Sequence, residues 1–281
     1  MLASPHTNSW GFVYTNVGVG VVGNTGLSVT PGASSVEGSF TQIASAANIA
    51  SDVQYVHLMV MQGNSGGQSK QQFLDLGWDP AGGTSYTAFL SDLACGGSNS
   101  LGNGPAQFYH FPCKIPAGST VAVRLQGSNA TAGTVRVVAF FFGKPSRPEL
   151  WRPAAYSETL GAGASTLGTS FTPGNASFGA WASLGSPAKK HFWAQLGVQI
   201  DNATVAAGEG TRCQLGIGDG TNMHSITDLH IITTAAESVG HTMPQCPGLW
   251  EIPAGSTLYV RGASFGAPTS GYNATAVLFG G

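Results

Sequence analysis

Charge is what this sequence has least of: Asp, Glu, Lys and Arg make up 9% of its 281 residues, where a soluble domain averages about 25%. A surface so poor in charge is expected to be covered by neighbours in an assembly rather than to face water alone. The net charge of -2 gives no basic field for neutralising phosphates, so nucleic-acid binding is not expected. No stretch approaches the roughly 18 apolar residues of a membrane span. The start, Met1 to His6, lacks the charged and apolar regions of a signal peptide, so export by the general secretory route is not expected. On that reading the Asn-x-Ser/Thr sites at Asn129, Asn175, Asn202 and Asn273 are chance matches. Cys95, Cys113, Cys213 and Cys246 contain no C-x-x-C pair, which argues against zinc and leaves free thiols as the default.

Convincing amphipathic helices are also missing. The nearest candidate is Gln42 to Ala50, a short helix or turn. What is present is 42% hydrophobic residues with 41 Gly and 15 Pro, enough apolar side chain to fold and much turn-forming punctuation. Val53 to Met61, Val121 to Leu125, Val135 to Phe142 and Leu258 to Arg261 are short β-branched or aromatic runs bounded by turn residues, the signature of strands. Val137 to Phe142 is apolar on both faces, as a central strand would be.

The chain also repeats itself. Ile115-Pro116-Ala117-Gly118-Ser119-Thr120 returns as Ile252-Pro253-Ala254-Gly255-Ser256-Thr257, an offset of 137 that also pairs Arg124 with Arg261 and Phe142-Gly143 with Phe279-Gly280. Thr30-Pro31-Gly32 returns as Thr172-Pro173-Gly174 at an offset of 142, which pairs Tyr14 with Tyr156. Between these anchors Phe73 to Asp79 is set against Cys213 to Asp219. Two copies of one unit follow: an N-terminal arm over 1–13, a first copy over 14–143, a linker over 144–155 and a second copy over 156–281. Short strands without alternating helices predict an all-β fold of two tandem β-sandwiches, jelly-roll-like in size.

Leu76-Gly77-Trp78-Asp79 followed by Phe111-Pro112-Cys113-Lys114-Ile115-Pro116-Ala117-Gly118-Ser119 resembles uncharacterised structural proteins of tailed bacteriophages. The resemblance covers the second half of each copy. It implies a virion role and brings no catalytic residues; the second copy departs from it at Leu249-Trp250-Glu251.

Candidate chemistry is thin. Asp79 and Asp219 precede turn sequences, where Asp bonds its own backbone, and Asp219 to Asn222 lacks the remainder of a calcium loop. His224, Asp228 and His230 would share one face of a regular strand and could approach a metal with His241 as a third imidazole, yet polar surface contacts account for them. No Gly-x-Ser-x-Gly elbow is present, and Gly18 to Gly23 matches dinucleotide spacing without a helix to receive the phosphate. The expectation is a protein with no enzymatic activity, no metal and no cofactor. Partner-binding residues are sought where the copies differ. The linker, Lys144 to Pro153, places four charges and a Trp in ten positions, and Arg and Trp are enriched at interface hot spots. Arg147, Trp151 and Arg152, with Trp10 and Phe12 of the arm, are the expected contacts. The expected partners are further copies of the chain, with trimers the leading form, and other virion proteins in a particle assembled in the host cytoplasm as capsid decoration, collar or tail-associated protein. The alternative is a host-surface glycan stacked on Trp78, Trp181 or Trp193.

Overall fold

The computed structural model describes residues 6–7, 13–17, 26–62, 71–95, 107–128, 134–143, 154–163, 166–200, 210–234, 237–239, 245–266 and 272–281. The described residues are almost entirely strand, with no α-helix. In chain order the strands of the first half are β1 (His6–Thr7), β2 (Val13–Val17), β3 (Leu27–Val29), β4 (Thr41–Ala44), β5 (Val53–Gln62), β6 (Gln72–Asp79), β7 (Thr87–Ala94), β8 (Gln107–Ile115), β9 (Thr120–Gly127) and β10 (Val135–Gly143). Those of the second half are β11 (Tyr156–Leu160), β12 (Thr169–Phe171), β13 (Gly174–Asn175), β14 (Ala182–Gly185), β15 (His191–Ile200), β16 (Gly210–Gly218), β17 (Met223–Thr234), β18 (Glu237–Val239), β19 (Gln245–Ile252), β20 (Thr257–Ser264) and β21 (Tyr272–Gly280). The helix-or-turn segment at Gln42 to Ala50 is the end of β4 followed by one 3-10 turn, Ala46–Asn48.

Four sheets result, and each draws its strands from one half only. In the first half β2 and β3 lie beside β10, then β5, then β8, while the second sheet runs β4-β9-β6-β7. In the second half β11 and β12 lie beside β21, then β15, then β19, and the other sheet runs from β14 to β20, β16 and β17. The order is the same in both: the first strand position pairs the last, the last pairs the third, and the second pairs the seventh. This non-sequential antiparallel order is that of a jelly roll. The alternation is visible in β20, whose Leu258, Val260, Gly262 and Ser264 point inward while Thr257, Tyr259, Arg261 and Ala263 do not. The strand Val135–Gly143 is central, with partners on both sides, as its apolar run requires.

The repeated Ile-Pro-Ala-Gly-Ser motif makes the same turn twice. Gly118 and Gly255 have φ of +79° and +78°. Their N–H groups donate to the Ile49 and Pro187 carbonyls, at 2.8 Å in both cases. The repeat also fixes a register that composition alone misaligns by one residue. Arg124 sits opposite Asp75 and Arg261 opposite Gln214, so Asp75 corresponds to Gln214 and Asp79 to Gly218 rather than to Asp219. A slip of one residue exchanges the faces of a strand, so the register decides which side chains gather outside the sheet.

The halves pack closely. The apolar core of the first sandwich includes Val277 and Phe279 of β21, with Phe192 and Trp193 of β15 against it. Phe111 and Phe279 stack with ring centroids 5.4 Å apart. Polar bonds seal the seam: Thr159 Oγ1 donates to the Ser91 carbonyl at 2.5 Å, and the Gln72 N–H donates to Gln199 Oε1 at 2.6 Å. Ala154, within the expected linker, is buried in this same core.

Candidate functional site

Outside the β4-β9-β6-β7 sheet, β9 presents Arg124 and β6 presents Asp75 across from it. Arg124 Nη1 lies 2.6 Å from Glu37 Oε2 and its Nε 2.7 Å from Asp75 Oδ2, while its guanidinium carbon sits 4.6 Å from the Phe40 ring centroid. Asp92 on β7 adds a third carboxylate, and oxygens of Glu37, Asp75 and Asp92 lie within 4.8 Å of one another. Asp75 and Asp92 are only 3% and 5% exposed. Asp75 Oδ1 accepts the Asp92 N–H at 2.7 Å, whereas Asp92 Oδ1 has no hydrogen-bond partner among the described residues. Burial, and then the charge of Asp75, push the Asp92 carboxyl up to about 7; burial and Asp75 also raise Glu37 against the opposing pull of Arg124. Three oxygens this close have the spacing of a hard-cation cage. Arg124 already pairs with two of them, Glu37 and Asp75, however, and the burial of Asp75 and Asp92 keeps these two from any substrate.

The corresponding place in the second half is built differently on the same frame. Arg261 takes the position of Arg124, but Phe178 stands for Glu37, Trp181 for Phe40, Gln214 for Asp75 and Arg212 for Phe73; only Asp92 keeps its carboxylate, as Asp228. The correspondence is visible in the packing, because a Cβ on Gly77 would meet the Phe40 ring at 2.7 Å and one on Gly216 the Trp181 ring at 2.6 Å. It is visible too in the backbone, where Gly38 donates to Leu125 and Gly179 to Gly262, both at 2.9 Å. Arg261 lies 4.3 Å from the Phe178 centroid and 4.2 Å from that of Trp181, and its Nε donates to Gln214 Oε1 at 2.9 Å. Arg212 Nη2 lies 2.6 Å from Asp228 Oδ2. Burial, then the neighbouring Arg212 charge, lower the Arg261 pKa. Two guanidiniums thus face one carboxylate, where the first half sets one guanidinium among three. Beside them a cup of about 200 Å³ is lined by Phe178, Arg212, Ser177, Ser264 and Phe265, and Phe265 is 82% exposed.

The expected contacts Trp10, Phe12, Arg147, Trp151 and Arg152 lie outside the described residues, as do His241 and the Gly18 to Gly23 run. Asp79 and Asp219 cap turns: Asp79 accepts from the N–H groups of Ala81 and Ser85, both at 2.9 Å, and Asp219 from those of Thr221 and Asn222 at 2.8 and 2.6 Å. His224, Asp228 and His230 do not share a face. A bulge at Ile226 puts His224 opposite Ile217, whereas Asp228 and His230 lie opposite Gln214 and Arg212. The extra residue reverses the alternation. Trp193, expected to be exposed, packs against the first core, as does Trp78; of the three tryptophans only Trp181 belongs to the charged face. Cys95, Cys113 and Cys213 are free and buried, and burial raises their thiols. Sequence reading paired Arg124 with Arg261 but missed Glu37, Asp75, Asp92, Arg212 and Phe178. The signal was the substitution of Phe178 for Glu37 and Gln214 for Asp75, legible only in the right register.

No helix among the described residues is long and apolar enough to cross a membrane. No family model and no curated protein match the sequence. Among solved structures, a peptide-N(4)-(N-acetyl-β-D-glucosaminyl) asparagine amidase aligns over 95% of this chain and 96% of its own at 11% identity and a TM-score of 0.33. A protein in the atomic structure of Sulfolobus Turreted Icosahedral Virus aligns over 90% and 87% at 11% identity and a TM-score of 0.39. The CBM22-1-CBM22-2 tandem domain of Paenibacillus barcinonensis Xyn10C aligns over 96% and 91% at 10% identity and a TM-score of 0.28. Likenesses of this extent assign no function.

Proposed function

We propose that the chain is a non-enzymatic structural protein of a tailed-bacteriophage particle, a decoration, collar or tail-associated component that works by binding its neighbours. Its units are the arm over 1–13, the sandwiches over 14–143 and 156–281, and the linker over 144–155. The observation that carries this reading is the outer face of β5, β8 and β10. Register puts Tyr55, His57, Met59, Phe108, His110, Phe140 and Phe142 on that one face. The face is half-buried, with Phe108 exposed. A broad apolar face of this kind marks a contact surface, in keeping with the low charge of the whole chain and with the phage-like motif of β6 and β8. Trp10, Phe12, Arg147, Trp151 and Arg152 extend the contacts, and copies associate around a closed axis, three to a ring. Removing a buried interface Trp or Arg costs about 2 kcal/mol or more of binding. The double variant Trp151→Ala, Arg152→Ala, and deletion of residues 1–13, should each leave the melting temperature of the isolated protein unchanged and reduce its incorporation into particles. A stable monomer by sedimentation at high concentration, with no partner from the same particle, would overturn the assembly role.

A second reading, recognition of a host-surface glycan, is favoured by one observation: in the second half a conserved-in-place arginine has exchanged its carboxylate partner Glu37 for an aromatic ring, Phe178.

A further inference from the structure

We infer that the cup between Phe178, Arg212 and Phe265 binds an acidic sugar, a pyranose ring carrying a carboxylate. The inference deepens the glycan reading and rests on it. The frame that holds the site is duplicated, so the first half shows what the same position looks like when closed. There Arg124 is occupied by Glu37 and Asp75 at 2.6 and 2.7 Å. In the second half Arg261 makes a single side-chain hydrogen bond, from Nε to Gln214, and its two terminal nitrogens have no partner among the described residues. Arg212, added where the first half has Phe73, spends one nitrogen on Asp228 and its side chain remains 43% exposed. The face therefore carries one positive charge in excess of its own carboxylates. Of the two arginines Arg212 lines the cup and is the donor for an anion there, with Arg261 behind Phe178 adding charge, and guanidinium forks match carboxylates in geometry.

The remainder of the cup selects what carries that carboxylate. Its walls include Phe178 and the 82% exposed Phe265, faces on which the C–H side of a sugar ring stacks. Ser177 and Ser264 add polar groups at the edge. About 200 Å³ is below the range of roughly 300 to 1,000 Å³ for drug-sized ligands and suits one ring. An aspartate or glutamate side chain would satisfy Arg212 and leave both aromatic walls unused, which is why a sugar is favoured over an acidic peptide.

The test is calorimetric titration of the full chain with trigalacturonate, with its methyl ester as the uncharged counterpart and hexaglutamate as the acidic peptide. Trigalacturonate should bind, and the ester at least about tenfold more weakly. Phe265→Ala and Arg212→Gln should each weaken trigalacturonate by about tenfold with the melting temperature unchanged. Should Arg212→Gln unfold the protein by freeing Asp228, Phe265→Ala decides alone, since so exposed a ring contributes nothing to the core. Equal binding of acid and ester would overturn the inference while leaving a glycan-binding role. Tighter binding of hexaglutamate would overturn it in favour of a protein ligand, and absence of any binding at millimolar sugar would end both.

Discussion

At the scale of single residues, two buried groups of the first half pull stability in opposite directions with pH. The raised carboxyl of Asp92 holds its proton more tightly folded than unfolded. Its favourable contribution is therefore complete below the ordinary Asp range near 4 and is lost as pH rises through about 7. His57 behaves in reverse. Burial, then its neighbour His110 with ring centroids 4.1 Å away, lower it to about 4, so stability falls as pH drops from the ordinary histidine value near 6.5 toward 4. Between pH 4 and 6.5 the two slopes oppose each other, so these groups together should leave the melting temperature nearly flat there. Asp92→Asn should remove the Asp92 loss, adding on the order of 3 kcal/mol at pH 8 and leaving a melting temperature that falls on acidification from about 6.5 toward 4. Asn also tolerates the left-handed φ of +57° at this position. A variant no more stable than the unsubstituted protein at pH 8 would show that Asp92 is ionised without cost.

At the scale of elements, the repeat makes a matched pair of experiments available. Gly118 and Gly255 hold the same left-handed turn, and a Cβ on either would touch nothing within 4 Å. Gly118→Ala and Gly255→Ala should therefore cost only the backbone term, about 1 to 2 kcal/mol, and nearly the same amount in each copy by denaturant unfolding. Gly77→Ala and Gly216→Ala differ, because their Cβ atoms would run into Phe40 and Trp181. Here the rings must move and the stacked arginines with them. The strands and these turns were legible in sequence because they depend on local alternation and on Pro-Gly chemistry. The bulge at Ile226 was not. It carries no Gly or Pro signal, and it alone separates His224 from Asp228 and His230.

At the scale of the molecule, the seam between halves is apolar core rather than a tether. Phe279 is buried against Phe111 within the first core. Phe279→Ala should cost about 3 to 5 kcal/mol, and tryptophan fluorescence and far-ultraviolet dichroism should report one shared transition in the native chain. Two resolved transitions, with only the second half shifted by the substitution, would show that the halves are energetically independent.

The sequence by itself determined the all-β class, the duplication and the turns, because hydrophobic alternation and turn residues act over a few positions and the repeat supplies its own control. Tertiary structure alone decided three things. It set the one-residue register that gathers Glu37, Asp75, Asp92 and Arg124 in one place and Phe178, Trp181, Arg212 and Arg261 in the other. It chose which tryptophans pack against the first core, and it fused the two cores across Phe279. Each depends on which strands become neighbours across distances from 47 residues, between Gln214 and Arg261, upwards, and such pairings leave no local mark on the chain.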